Sequence, residues 1–190
     1  MKEVDNVLKI LKETKSAFQA NDSYKLKQLS NQTTNTASLT QDLDNIALAV
    51  IVYSLSKIVE RENYRQLPGW KNFYSKINLF LDKSISDVEK NDYSSFKKDF
   101  KKIRANIENL SGKLKKYIKE LFRNAEINKA SRLHEHGISM EQTAKLLGVS
   151  MYELADYVGK TGIADVPESQ TMSVKQRIKL AERFFAWKKK

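Results

Sequence analysis

The fold class predicted for this 190-residue chain is all-α. Six Gly and two Pro in the whole chain leave few places for turns, which favours long helices over many short strands. Apolar residues recur three and four positions apart along most of the sequence, the period of a helix face. The longest apolar run, Ile46 to Tyr53, has the character of a helix buried on every side.

The elements follow in order. "MKEVDNVLKILKETKSAF" sets Val4, Val7, Leu8, Leu11 and Phe18 on one face with Lys and Glu opposite, an amphipathic helix. After "NDS", where Asp22 or Ser23 caps, a second helix starts near Tyr24; "SNQTTNTAS" is poor in helix formers and is expected to fray. Gln41 to Tyr64 reads as one long central helix, with Asp42 or Thr40 near its start. "LPG" at Leu67 to Gly69 breaks the chain. The next helix aligns Trp70, Phe73, Tyr74, Ile77, Leu81, Ile85 and Val88, aromatic positions that belong to a core more readily than to a base-stacking platform.

From Tyr93 the apolar positions Phe96, Phe100, Ile103, Ile107, Leu110, Leu114, Tyr117 and Leu121 alternate gaps of three and four. That pattern fits a helix laid along its own bundle and equally a dimerising coiled coil, with Ser111-Gly112 as a point of bending or interruption. The chain changes role near Glu126, and a helix through "AEINKASRLHEHG" closes at Gly137. The expected division is a helical bundle over 1–125, for dimerisation or partner binding, and a smaller module over 126–190. No internal repeat is visible.

Composition narrows the function. Cysteine is absent, which excludes disulfides, thiolate metal sites and a Cys nucleophile and fits a cytoplasmic setting. No signal pattern precedes the first helix, and the longest apolar run is too short to span a bilayer, so a soluble protein is expected. His134 and His136 lie two apart on a helix and point to different faces, a poor metal pair. Gly159-Lys160-Thr161 lacks the earlier Gly and the leading strand of a phosphate loop. The expectation is a protein that is not an enzyme and holds no cofactor.

The net charge of +11 is unevenly placed. Lys97 to Arg123 carries ten Lys or Arg against Asp99, Glu108 and Glu120, and Ser173 to the C-terminus carries seven against Glu182. Between them, Ser139 to Gln170 has Lys145 and Lys160 against Glu141, Glu153, Asp156, Asp165 and Glu168.

That acidic stretch has the spacing of a helix-turn-helix. Ala144 is the small residue at the crossing, Gly148 tolerates positive φ in the turn, and Leu147, Val149, Leu154 and Tyr157 seat the two helices. Ser139 with Gln142 forms a capping box for the first helix, and Ser150 caps the second. Across about Leu133 to Phe185, and most closely in "AKLLGVSMYELADYVGKTGI", the sequence resembles the helix-turn-helix of small prokaryotic DNA-binding proteins, antitoxin-like ones included. The resemblance implies a recognition helix from Ser150 to Gly159, with Ser150, Met151, Tyr152 and Glu153 facing the groove and Asp156 near the backbone. Where members of the family often carry Arg, Gln or Asn for bidentate base contacts, this chain does not. Affinity for double-stranded DNA is therefore expected from phosphate neutralisation, through Lys160 and through Lys175, Arg177, Lys179, Arg183, Lys188, Lys189 and Lys190 on a last helix from Ser173 to Trp187, with Glu153 offering a contact to cytosine. A homodimer would present two such helices to successive grooves.

Three other readings compete: an acidic helix pair that docks a protein partner, a basic terminus with Phe184, Phe185 and Trp187 lying on an anionic membrane, and RNA binding. The last comes from the bundle, which resembles the HEPN-type helical domains of prokaryotic defence and toxin systems. Their RNases need Arg, four to six residues, then His; Lys27 to Gln32 has neither residue, and Arg132 to His136 has only three between. The resemblance thus implies a catalytically dead RNA-binding relative.

Overall fold

The computed structural model of the chain describes residues 1–110 and 112–161. Among these the fold is all-α, with eight α-helices, one 3-10 turn and no strand. No helix of the described residues is long and apolar enough to cross a membrane. The expected helix from Ser173 to Trp187, and with it the membrane-surface reading of Phe184, Phe185 and Trp187, lies outside the described residues.

Helix α1 (Val4–Gln19) buries Val7, Ile10, Leu11 and Phe18, the apolar face the spacing predicts with Ile10 added. Helix α2 (Ser23–Thr40) does not fray at "SNQTTNTAS". Thr33 and Thr34 donate their hydroxyls to the carbonyls of Leu29 and Ser30, at 2.8 and 2.7 Å, and both side chains are buried. Ser30 donates to the carbonyl of Ala49 on the next helix at 2.8 Å. Small polar residues whose hydroxyls are satisfied locally let α2 lie close against its neighbour, and that packing overrides their weak helix propensity.

Helix α3 (Leu43–Val59) is the buried central helix, capped by Asp42, whose carboxylate accepts from the Asp44 amide at 2.8 Å. It is shorter than expected, because Glu60 and Arg61 leave the helix and a 3-10 turn (Glu62–Gln66) follows. Gly69, at φ +88, then opens α4 (Trp70–Glu89). Phe73 is buried, with Trp70 packed against it and Tyr74 stacked on Phe18 at 5.0 Å.

The lysine-rich stripe is not one rod. It divides into α5 (Tyr93–Glu108) and α6 (Gly112–Glu135), with Gly112 at φ +59. Phe96, Ile103, Leu114 and Leu121 of the stripe are buried in the core of their own bundle, and Phe100 and Leu110 pack against it, while Tyr117 stacks on Tyr64 and stays 37 % exposed. The buried members face inward, which favours the intramolecular alternative over the coiled coil.

A repeat that the sequence did not reveal appears in the fold. The turns joining α1 to α2 and α4 to α5 have one design, 70 residues apart. Asn21 and Asn91 take positive φ (55° and 59°), and the amides of Asp22 and Asp92 return to the carbonyls of Ala17 and Asp87 at 2.8 Å. The carboxylates of Asp22 and Asp92 then cap α2 and α5 by accepting from the amides of Lys25 and Ser95. A third helix follows each hairpin, and like packs with like, α1 on α4 and α3 on α6. Beyond the Asn-Asp pair the two units share few identities, because burial asks only for apolar character at matching positions.

Helices α7 (Met140–Leu147) and α8 (Met151–Thr161) complete the described chain. They share a second core with the bundle, in which Ala37, Ile46 and Val50 join Ala125, Ala130 and Leu133 of α6 and Ala144, Leu147, Val149, Leu154 and Val158. The division expected after residue 125 falls inside α6, so the two parts hold one helix in common.

Candidate nucleic-acid interface

The α7–α8 corner is built largely as the residue types require. Gly137, at φ +91, ends α6, with the Ile138 amide donating to the Leu133 carbonyl. Ser139 caps α7 by accepting from the Gln142 amide at 3.2 Å. The expected capping box is only half made there, since the Gln142 side chain donates to Gln41 at 3.0 Å instead of returning to Ser139. Gly148 takes φ +65 and turns the chain into α8. Ala144, Leu147, Val149 and Leu154 are buried, and the Tyr157 hydroxyl accepts from Asn128 of α6 at 2.9 Å.

The complete capping box belongs to the second helix. The Glu153 amide donates to the Ser150 hydroxyl oxygen at 3.1 Å, and the Glu153 carboxylate accepts from the Ser150 amide at 3.0 Å and from its hydroxyl at 2.7 Å. Arg123 of α6 closes on the same oxygen at 2.6 Å and also donates to the Gly148 carbonyl at 3.3 Å and to Glu126 at 3.2 Å. The guanidinium, followed by the Ser150 hydroxyl and amide, holds the Glu153 carboxyl down at about 2. One oxygen of the Glu153 carboxylate thus takes three donors, and Ser150 and Glu153 together hold the start of α8. Asp156 is likewise matched, by Lys160 at 2.7 Å one turn along. What α8 leaves outward at its start is Met151, 52 % exposed, and Tyr152, 83 % exposed.

Arg123 also brings two neighbours that the motif spacing does not single out. Lys116 and Lys119 lie seven and four positions before it, on its side of α6, and both are exposed. They continue the face of α6 from which Arg123 reaches α8, with Glu120 among them. Their spacing was present in the sequence, but nothing there told which face of α6 the helix pair would abut. Of the other expected contacts, Lys175, Arg177, Lys179, Arg183, Lys188, Lys189 and Lys190 lie outside the described residues.

A second polar feature was not anticipated. Lys129 is 1 % exposed; its ammonium lies 4.5 Å from the Tyr53 ring centre and 3.3 Å from Asn31 Oδ1. Burial, then the nearby charges of Arg132 and Lys27, bring its pKa down to about 7. Of the pair compared with a nuclease motif, Arg132 lies in the last turn of α6 and His136 just past its end. There Arg132 pairs with Glu135 at 2.7 Å, and His134 Nδ1 lies 2.9 Å from the Ile138 carbonyl. Among the described residues no group of three or more His, Asp or Glu is placed to hold a metal ion.

No family model, curated protein or solved structure matches this chain.

Proposed function

We propose that this chain is a non-enzymatic, cytoplasmic protein that binds double-stranded DNA through the face bearing the start of α8 and the basic side of α6, and that it acts as a transcriptional regulator or antitoxin-like repressor. The observation that carries the reading is the pairing of the two acids of α8. Glu153 shares the Arg123 guanidinium with Glu126, and Asp156 is paired with Lys160, so each acid of α8 already has a cationic partner when the helix meets a phosphate backbone. Met151 and Tyr152 stand at its exposed start, and Lys116 and Lys119 supply cations alongside. Base discrimination is weak in this arrangement, and affinity rests on phosphates. A homodimer would place two such faces about 34 Å apart. Its contact lies outside the buried part of the Tyr93 to Leu121 stripe.

A gel-shift titration of the full chain against duplex DNA at several salt concentrations tests this. Binding should weaken with salt, and Lys116→Ala and Lys119→Ala should each lower the slope of log affinity on log salt by about 0.9. Absence of any shift at low salt removes the proposal.

The exposure of Met151 and Tyr152 also favours a second reading, a surface for a protein partner. Tyr152→Ala separates the two: under the first reading DNA affinity drops, and under the second the DNA shift is absent while capture of a partner is lost.

A further inference from the structure

The junction of the bundle with α7 holds a space its neighbours leave open. Ile46 and Val50 of α3, Phe100 and Ile103 of α5, Phe122 of α6 and Leu147 of α7 line a cavity of about 210 Å³. Its origin lies in the repeat. In the first unit Ser30 and Thr33 are small, and α2 lies close on α3. Seventy residues on stand Phe100 and Ile103, which cannot approach as closely, and both line the opening. A cavity of about 150 Å³ lined by aliphatic and aromatic side chains admits benzene, so this one has room for a ring with a short chain, about ten non-hydrogen atoms. Among the described residues one ionisable side chain is in the lining, Glu126, whose carboxylate lies 3.2 Å from Arg123.

We propose that this cavity is a binding site for a small apolar molecule carrying one cationic head, an arylalkylamine in size and chemistry, with the ring among Ile46, Val50, Phe100 and Phe122 and the ammonium at Glu126. The site stands independently of the nucleic-acid reading. Apolar walls with a single placed charge are the usual form of a small-molecule site, and the negative wall selects a cation. Arg123 links the site to α8, because the guanidinium that touches Glu126 also holds Glu153 and the Gly148 carbonyl. A cation at Glu126 competes for that carboxylate and leaves Arg123 to the α8 turn.

The test is methyl-resolved NMR of the full chain titrated with phenethylamine and, separately, with its uncharged isostere propylbenzene. Shifts confined to the methyls of Ile46, Val50, Ile103, Leu146 and Leu147 are expected, with the amine binding about tenfold tighter than the hydrocarbon. Glu126→Gln should bring that ratio near one, and Val50→Phe, which fills the space, should abolish both titrations with helical circular dichroism retained. The proposal is overturned by the absence of methyl shifts at millimolar probe, by shifts scattered over the surface, or by equal affinity for the two probes in the unaltered chain. That last comparison decides the matter even where a variant does not fold.

Discussion

Lys129 shows what a single residue experiences that its sequence neighbours do not announce. Among the described residues no carboxylate pairs with it; the charges that bear on it are Arg132 and Lys27. Its folded pKa of about 7 lies below the ordinary 10.5, so the unfolded chain binds the extra proton between those values. The penalty is full below about pH 7 and fades as pH rises to 10.5. Lys129→Met should therefore stabilise the protein by about 1–4 kcal/mol at pH 7, with the difference shrinking toward pH 10.5, as read by urea unfolding at the two pH values. A variant no more stable than the parent at pH 7 would remove this account. Glu153 behaves in the opposite sense. Its carboxyl is held at about 2 against an ordinary 4.5, so its contribution is present above pH 4.5 and is lost as pH falls toward 2. In the sequence "INKASRL" Lys129 has nothing to distinguish it from a solvated lysine. Ser139 with Gln142 and Ser150 with Glu153 share the spacing of a capping box, yet only the second closes, because the folded chain places Gln41 within reach of Gln142.

At the scale of elements, local rules located most helices and misjudged their ends. Capping signals narrowed the starts of α2 and α3 to two residues each, of which Asp22 and Asp42 cap, and placed Ser139 outright, since a cap depends on three or four consecutive residues. The matched turns at Asn21-Asp22 and Asn91-Asp92 give a paired prediction. Asp22→Ala and Asp92→Ala should each cost about 1 kcal/mol in thermal or urea unfolding, and by similar amounts, because each removes one carboxylate acceptor from a helix amide. A much larger loss at one site would show that the two turns are not equivalent. Helix α2 is the converse case. Its Thr and Ser run has weak helix propensity, while its stability comes from lying against α3, which no local window contains.

At the scale of the whole molecule, α6 binds the two cores into one structure. It contributes Leu114, Ile118 and Leu121 to the first and Ala125, Ala130 and Leu133 to the second. Leu133→Ala should lower stability by about 2–5 kcal/mol and should reduce hydrogen-exchange protection of Leu48 in α3 and of Leu154 in α8 alike. Loss confined to Leu154 would support the two-part division at residue 125. The sequence by itself determined the helical class, the burial of the Ile46 to Tyr53 segment and the presence of a tight corner at Gly148. These follow from periodicity, run length and backbone freedom, each contained within a few turns of chain. Only the tertiary structure decided which way the Tyr93 stripe faces, that the Asn-Asp turns repeat, that an unfilled space lies beside α7 and that Glu153 of α8 is matched by Arg123. Those outcomes depend on pairs such as Arg123 with Glu153, 30 residues apart, whose meeting is set by how whole helices pack and is absent from any local pattern.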